Sequence, residues 1–213
     1  MGRRALRKIH PDLDLSFHLR DVEQSPRIWT SREWFGNDLP LELEIGSGKG
    51  KFISGVAPSR PESNFIGVEI SRKYARFSAA KLARGKFSNA ILVQGDALAA
   101  LRERVPNDSL QAIHIYFPDP WWKKRHKKRR VLNQQSVVDM QRALASAGAL
   151  HVWTDVEEYF HTSLELIREY TRLQGPLEVP DQPATDESDY HTHFERRTRL
   201  SGLPVYRSEF RKG

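Results

Sequence analysis

A chain of 213 residues with 38% hydrophobic content and a net charge of +7 carries enough apolar material for one sizeable core. It contains no cysteine, which excludes disulfides, thiolate catalysis and cysteine–zinc sites and fits a reducing, cytoplasmic setting. No run of about 18 apolar residues occurs, so no membrane-crossing helix is expected, and the opening MGRRALRKIHPDLDLSF lacks the apolar stretch of a secretory signal.

Residues 1–40 are mixed and polar, and Pro11, Pro26 and Pro40 interrupt them. They predict an extension with little regular structure, ordered if at all by a partner. The pattern changes at residue 41, where the main domain, 41–213, is expected to begin. LELEI (41–45), NFIGV (64–68), AILVQ (90–94), QAIHIYF (111–117) and ALHVWT (149–154) read as strands. Helices are expected near 49–57, 71–84, 97–104, 131–146 and 156–170. This alternation predicts an α/β fold with a mostly parallel sheet covered on both faces. The stretch 173–189 is rich in proline and acid and reads as a loop. A short helix near 192–200 and a last strand, VYRSEF (205–210), follow; with no crossover helix between it and the sheet, that strand can enter antiparallel.

The first strand runs into LELEIGSGKGKF, residues 41–52. Gly46, Gly48 and Gly50 allow positive φ and close approach of a ligand to the backbone. Three nucleotide-site readings compete. The spacing GxxxxGK followed by Ser or Thr that a phosphate loop needs is absent. GxGxG is a poor match to the GxGxxG of a dinucleotide site. S-adenosylmethionine needs no pyrophosphate cradle; its sulfonium, amino-acid end and ribose hydroxyls suit acids. Glu44 stands before the turn, Glu69 ends the second strand and Asp96 follows the third, each at a strand's carboxyl end. The plainer alternative makes Asp96 and Ser71 helix caps.

After the fourth strand comes FPDPWWKKRHKKRR, residues 117–130. Pro118 and Pro120 cannot extend the ladder, which leaves Asp119 as a stiffly held carboxylate facing the glycine turn. Trp121 and Trp122 either stack on a nucleobase or roof the core. Lys123, Lys124, Arg125, Lys127, Lys128, Arg129 and Arg130 follow with no acid among them. A solvated face mixes signs, so this run predicts a nucleic-acid footprint. Five phosphate contacts would give a salt slope of about −3.5 to −4.5. His191 and His193 form an HxH pair with no third ligand nearby in sequence, and no metal is expected.

The series LEIGSGKG, GVEIS, GDAL, FPDPWWKKRHKKRR, WTDVEEYF and THFERR resembles the bacterial tRNA (guanine-N7-)-methyltransferase family across roughly residues 40–211. The resemblance implies a class I, Rossmann-like methyltransferase fold with a mostly parallel seven-stranded sheet and an antiparallel last strand. It implies S-adenosylmethionine as donor, S-adenosylhomocysteine as product, and guanine 46 of the tRNA variable loop as acceptor. The enzyme would act as a monomer or weak homodimer, away from membranes. Glu44, Gly46, Gly48, Glu69, Asp96 and Asp119 match the donor-binding positions, Asp119 also linking donor to acceptor as the catalytic carboxylate. Lys123, Asp155, Thr192, His193, Phe194 and Glu195 match the substrate-contacting positions; Lys124, Arg125, His126, Lys127, Lys128, Arg129 and Arg130 match the RNA-contacting segment. Two departures are Phe194, where the family often has tyrosine, and Trp122, where it often has proline. Guanine N7 bears a lone pair and no proton, so methylation needs no general base. Asp155 and Glu195 are expected to accept hydrogen bonds from the guanine edge, with Lys123 reaching O6.

Overall fold

The computed structural model describes residues 6–121, 129–181, 183–187 and 189–213. Its strands are β1 (Leu19–Asp21), β2 (Leu41–Ile45), β3 (Asn64–Glu69), β4 (Ala90–Gln94), β5 (Leu110–Tyr116), β6 (Leu144–Thr154), β7 (Gln174–Leu177) and β8 (Tyr206–Arg211). Its helices are α1 (Ser31–Phe35), α2 (Lys51–Ser59), α3 (Arg72–Gly85), α4 (Ala97–Arg104), α5 (Gln134–Ala143), α6 (Glu157–Tyr170) and α7 (His193–Leu200). They build one eight-stranded sheet in the order β1-β4-β3-β2-β5-β6-β8-β7. Pairs from β1 through β6 are parallel, and β8 enters antiparallel between β6 and β7. Chain direction across the sheet reverses at β2, which lies between β3 and β5, and such switch points place ligands at the strands' carboxyl ends.

Helices cover both faces, which is why β3 and β4 read as unbroken apolar runs. On one face α2 and α3 pack Ile53, Ala57, Ala79 and Leu82 against Phe65, Ala90 and Leu92. On the other, a larger core joins Leu41, Leu43 and Ile45 of β2 to Leu101, Val137, Met140, Tyr159 and Ile167. In β2 the alternation therefore separates apolar residues on the large core from Glu42 and Glu44 on the opposite face. Both glutamates are buried nonetheless, at 3% and 5% exposure. A strand that reads as half solvated carries instead two enclosed carboxylates.

Four expectations are corrected. The sheet has eight strands rather than seven, because β1 pairs parallel with β4. Residues 1–40 are not a loosely ordered extension as a whole: Trp29 is fully buried, its amide donates to the Arg104 carbonyl at 2.8 Å, and its ring meets Trp34 edge-on at 5.4 Å. A three-residue strand among prolines shows no periodicity, so nothing in its own sequence announced it. The loop expected over 173–189 begins with β7, an exposed edge strand where Pro176 removes no needed ladder bond. The fifth helix is also shorter than the expected 131–146; Asn133 caps it, its side chain accepting from the Ser136 amide at 3.1 Å.

Candidate active site

The crevice at the carboxyl ends of β2, β3 and β5 begins with the glycine turn. Gly46, Gly48 and Gly50 have φ of 80°, 53° and 62°, a region that glycine enters at little cost. A Cβ on Gly50 would stand 2.7 Å from the Ser78 Cβ, and the Ser78 hydroxyl donates to the Gly48 carbonyl at 2.8 Å. Thus α3 is pressed directly against the turn. Glu69 buckles the other side: its two oxygens accept from the Gly48 and Ser71 amides, each at 2.8 Å. Each oxygen keeps a further lone pair for a ligand hydroxyl.

Glu44 is the unusual member. One of its oxygens, Oε2, is buried without a hydrogen-bond partner among the described residues. Burial pushes its pKa up to about 7; nearby Ser47 pulls the other way and the Glu69 charge adds to the rise. An enclosed carboxylate oxygen with nothing to accept is costly, and a cationic ligand removes that cost. Lys81 of α3 lies within electrostatic range but is itself pulled down to about 8 by burial and by Lys51 and Arg84. Asp96 stands at the exposed rim and does act as a cap: its Oδ1 accepts from the Leu98 and Ala99 amides at 2.9 and 3.2 Å.

Below the crevice lies a buried polar chain that the sequence did not single out. Arg60 pairs with Glu42, Glu42 Oε2 lies 2.8 Å from His114 Nε2, and His114 Nδ1 lies 3.0 Å from the Tyr116 hydroxyl. Burial lowers the His114 pKa and keeps the ring neutral. For Glu42, burial favours the acid, but His114 and Arg60 outweigh it and hold the carboxylate ionised. An ionised carboxylate only accepts, so His114 carries its proton on Nε2 and its Nδ1 accepts from Tyr116. The Tyr116 oxygen is left with its lone pairs at the end of β5. Around it stand Phe52 at 4.9 Å, Trp153 at 5.1 Å and His191 at 5.7 Å, measured between ring centres. The signal was alternation: His114 and Tyr116 share one face of QAIHIYF with the glutamates of LELEI.

Beyond β5, Phe117 and Trp121 adopt φ of 52° and 43°, a strained choice for bulky side chains and a mark of functional turns. Between them Asp119 is exposed at the rim. Trp121 stacks under the Arg129 guanidinium at 5.2 Å. Arg129 is exposed, as an RNA contact requires. Arg130 is not: it is 7% exposed, its Nε donates to the Pro120 carbonyl at 2.8 Å, and it lies over the Tyr159 ring. Its expected role is corrected to holding the PDP turn against α6. Trp122, Lys123, Lys124, Arg125, His126, Lys127 and Lys128 lie outside the described residues.

The opposite wall comes from β6 and α7. Asp155, exposed after β6, accepts from the Thr198 hydroxyl at 3.2 Å. Thr192 caps α7 by accepting from the Glu195 amide at 2.9 Å. His193 is exposed, and partial burial followed by the charges of Lys81, Lys51 and Lys49 depresses its imidazole to about 4. Those lysines set His193 across from the glycine turn. Phe194, 51% exposed, stacks on Phe117 at 6.2 Å. Glu195 departs from the expected substrate contact. It is 1% exposed; Oε2 accepts from the His191 amide at 2.6 Å, and Oε1 faces Arg199 at 3.2 Å and Arg207 at 3.5 Å. It ties α7 to β8 and has little left to offer a base.

The strand order, the glycine turn and the acids ringing it define an α/β methyltransferase of class I. Solved structures agree on the fold: the aminoglycoside resistance methyltransferase NpmB1 superposes with a TM-score of 0.56 at 20% identity, covering 82% of this chain and 87% of its own. The antibiotic-resistance methyltransferase Kmr gives 0.56 at 17% identity, covering 86% and 93%. A family model described as "Putative methyltransferase" matches residues 38–208. Among curated proteins, a tRNA (guanine-N(7)-)-methyltransferase of Rhodopirellula baltica is 49% identical over all of this chain and 80% of its own length. One of Listeria monocytogenes serotype 4b is 36% identical over 91% and 89%. The chain belongs to the tRNA (guanine-N(7)-)-methyltransferase family, as its motifs led us to expect.

Proposed function

We propose that the protein transfers a methyl group from S-adenosylmethionine to N7 of guanine 46 in the tRNA variable loop. The observation that carries this reading is the enclosed, unpartnered oxygen of Glu44 beside the glycine turn. It fits a ligand with a cationic amino-acid end and suits no phosphate. Glu44 would take the donor's ammonium, the remaining lone pairs of Glu69 its ribose hydroxyls, and the outward oxygen of Asp96 its adenine amine. When bound, the donor supplies a methyl group already activated on a sulfonium, which the N7 lone pair displaces without loss of a proton.

The chain therefore has no proton to move and contributes alignment and electrostatics. Asp119 and Asp155 follow the neighbouring strands β5 and β6, where their charge would favour a purine that becomes positive. Asp155 is held by Thr198 and offers its free oxygen to the guanine N1–H and amine. Glu195 acts as a positioning residue, fixing α7 and with it Thr198. Lys123 would reach guanine O6. A variable-loop base engaged in tRNA tertiary contacts must leave its stack to enter, at a cost of a few kcal/mol.

The test is to incubate the full chain with unmodified tRNA and isotope-labelled donor, then digest with nuclease and locate the label by mass spectrometry. One 7-methylguanosine at position 46 is expected. Label on another base, or at another guanine, overturns the assignment.

A further inference from the structure

Between Glu69 and Asp96 the chain has no acid and six cations: Arg72, Lys73, Arg76, Lys81, Arg84 and Lys86. This stretch is nearly as one-signed as the segment after β5. Several other cations are neutralised, as Arg32 is by Asp38, Arg102 by Asp139, Arg207 by Asp181 and Lys212 by Asp108. No ion pair joins any of the six to a carboxylate among the described residues. A helix face that merely meets solvent mixes signs. That is what α6 does, with Arg168 among Glu157, Glu158, Glu165 and Glu169.

The placement within α3 is also unfavourable for the helix itself. Arg72 and Lys73 occupy its first turn, which holds no acid, at the positive end of the helix dipole. Arg72, Lys73 and Arg76 are all exposed. Helix α3 leaves the carboxyl end of β3, whereas the other basic segment leaves β5, and only β2 lies between those strands. With neighbouring strands about 4.8 Å apart, the start of α3 and the turn that follows β5 flank a crevice roughly 10 Å across. A base entering it brings backbone phosphates on both its 5′ and 3′ sides.

We infer that the exposed side of α3, led by Arg72, Lys73 and Arg76, is a second contact surface for the tRNA backbone, across the crevice from the turn that follows β5. The inference rests on tRNA being the substrate. The complementary chemistry is that of closely spaced phosphates: from Arg72 to Arg84 the helix rises about 18 Å, room for a short run of nucleotides.

The experiment replaces the three together, Arg72→Gln, Lys73→Gln and Arg76→Gln, in the full chain. Affinity for unmodified tRNA is measured from low to moderate salt. The slope of log affinity against log salt should lose about 2 to 3 in magnitude, and affinity near physiological salt should fall roughly tenfold or more. Methylation at saturating tRNA should stay within about twofold of the parent, donor affinity should not change, and the melting temperature should hold or rise. A control pair, Arg168→Gln with Arg172→Gln, removes exposed cations from the α6 end and should leave the slope unchanged. An unchanged slope in the triple variant, or an equal loss in the control, overturns the inference. If the parent protein itself fails to methylate tRNA, the substrate reading fails instead, and the two failures are told apart.

Discussion

Glu44 and Glu42 are two residues apart on one strand face and lead opposite lives. Glu42 has Arg60 and His114 as partners and stays charged. Glu44 has an oxygen with none, and burial lifts it to about 7 from an ordinary 4.5. A carboxyl whose folded pKa lies above its unfolded one binds more protons when folded, so the contribution of Glu44 to stability falls as pH rises between about 4.5 and 7 and levels off above. Glu44→Gln should remove that fall. The variant's advantage over the parent should grow from pH 5 to pH 8, by up to about 3 kcal/mol. Denaturant unfolding of both proteins checks it. The depressed histidines, His114, His151 and His193, are common to both and cancel in the difference, while the Lys81 window lies higher, between about 8 and 10.5. Parallel curves would show that Glu44 has a partner after all. Strand-end acids such as Glu44 and Glu69 were legible because position along an apolar run is visible in sequence. Glu195 and Arg130 were misread because burial inside a charged neighbourhood is not: both sit in segments whose composition suggests surface, and only tertiary packing shows that they are enclosed.

At the scale of elements, hydrophobic periodicity carried the reading. Strands β2 and β4 run over the residues expected of them, β3 is longer by one residue, β5 and β8 are each displaced by one, and β6 begins five residues early, at Leu144. Each expected run is short, apolar and bounded by turns. What escaped was structure held entirely by distant partners. Strand β1 exists because Leu19–Asp21 finds the open edge of β4, and Val22 then packs so close to Gly95 that a Cβ there would stand 2.3 Å from it. Trp29 and Trp34 complete the core beneath α4 and are isolated tryptophans in polar sequence. Trp29→Ala should therefore cost about 3 to 5 kcal/mol of stability, read as a lower denaturation midpoint. An unchanged midpoint would return residues 19–35 to the status of a loose extension. The same logic explains β7, whose ladder partner, β8, lies some thirty residues later in the chain.

Across the whole molecule, charge is sorted by place. Glu44 and Glu69 are enclosed at the strand ends with a neutral histidine–tyrosine pair beneath them, Asp96, Asp119 and Asp155 stand exposed at the rim, and Arg72, Lys73 and Arg76 are exposed on α3. On the proposed reading, the net charge of +7 would draw a polyanion in while the acidic floor holds a cationic donor below. That sorting was half legible: the run after β5 stands out by composition, though most of it lies outside the described residues, whereas the cations of α3 are spaced by apolar residues and their lack of acidic partners emerges only from the folded arrangement. Methylation of N7 requires these parts to meet at one nitrogen. The most direct measurement compares two tRNAs differing only at position 46, one with guanine and one with 7-deazaguanine, whose ring has carbon in place of N7. Both should bind alike, and only the guanine form should take up one methyl group from labelled donor. Equal uptake by the deaza form would contradict the account.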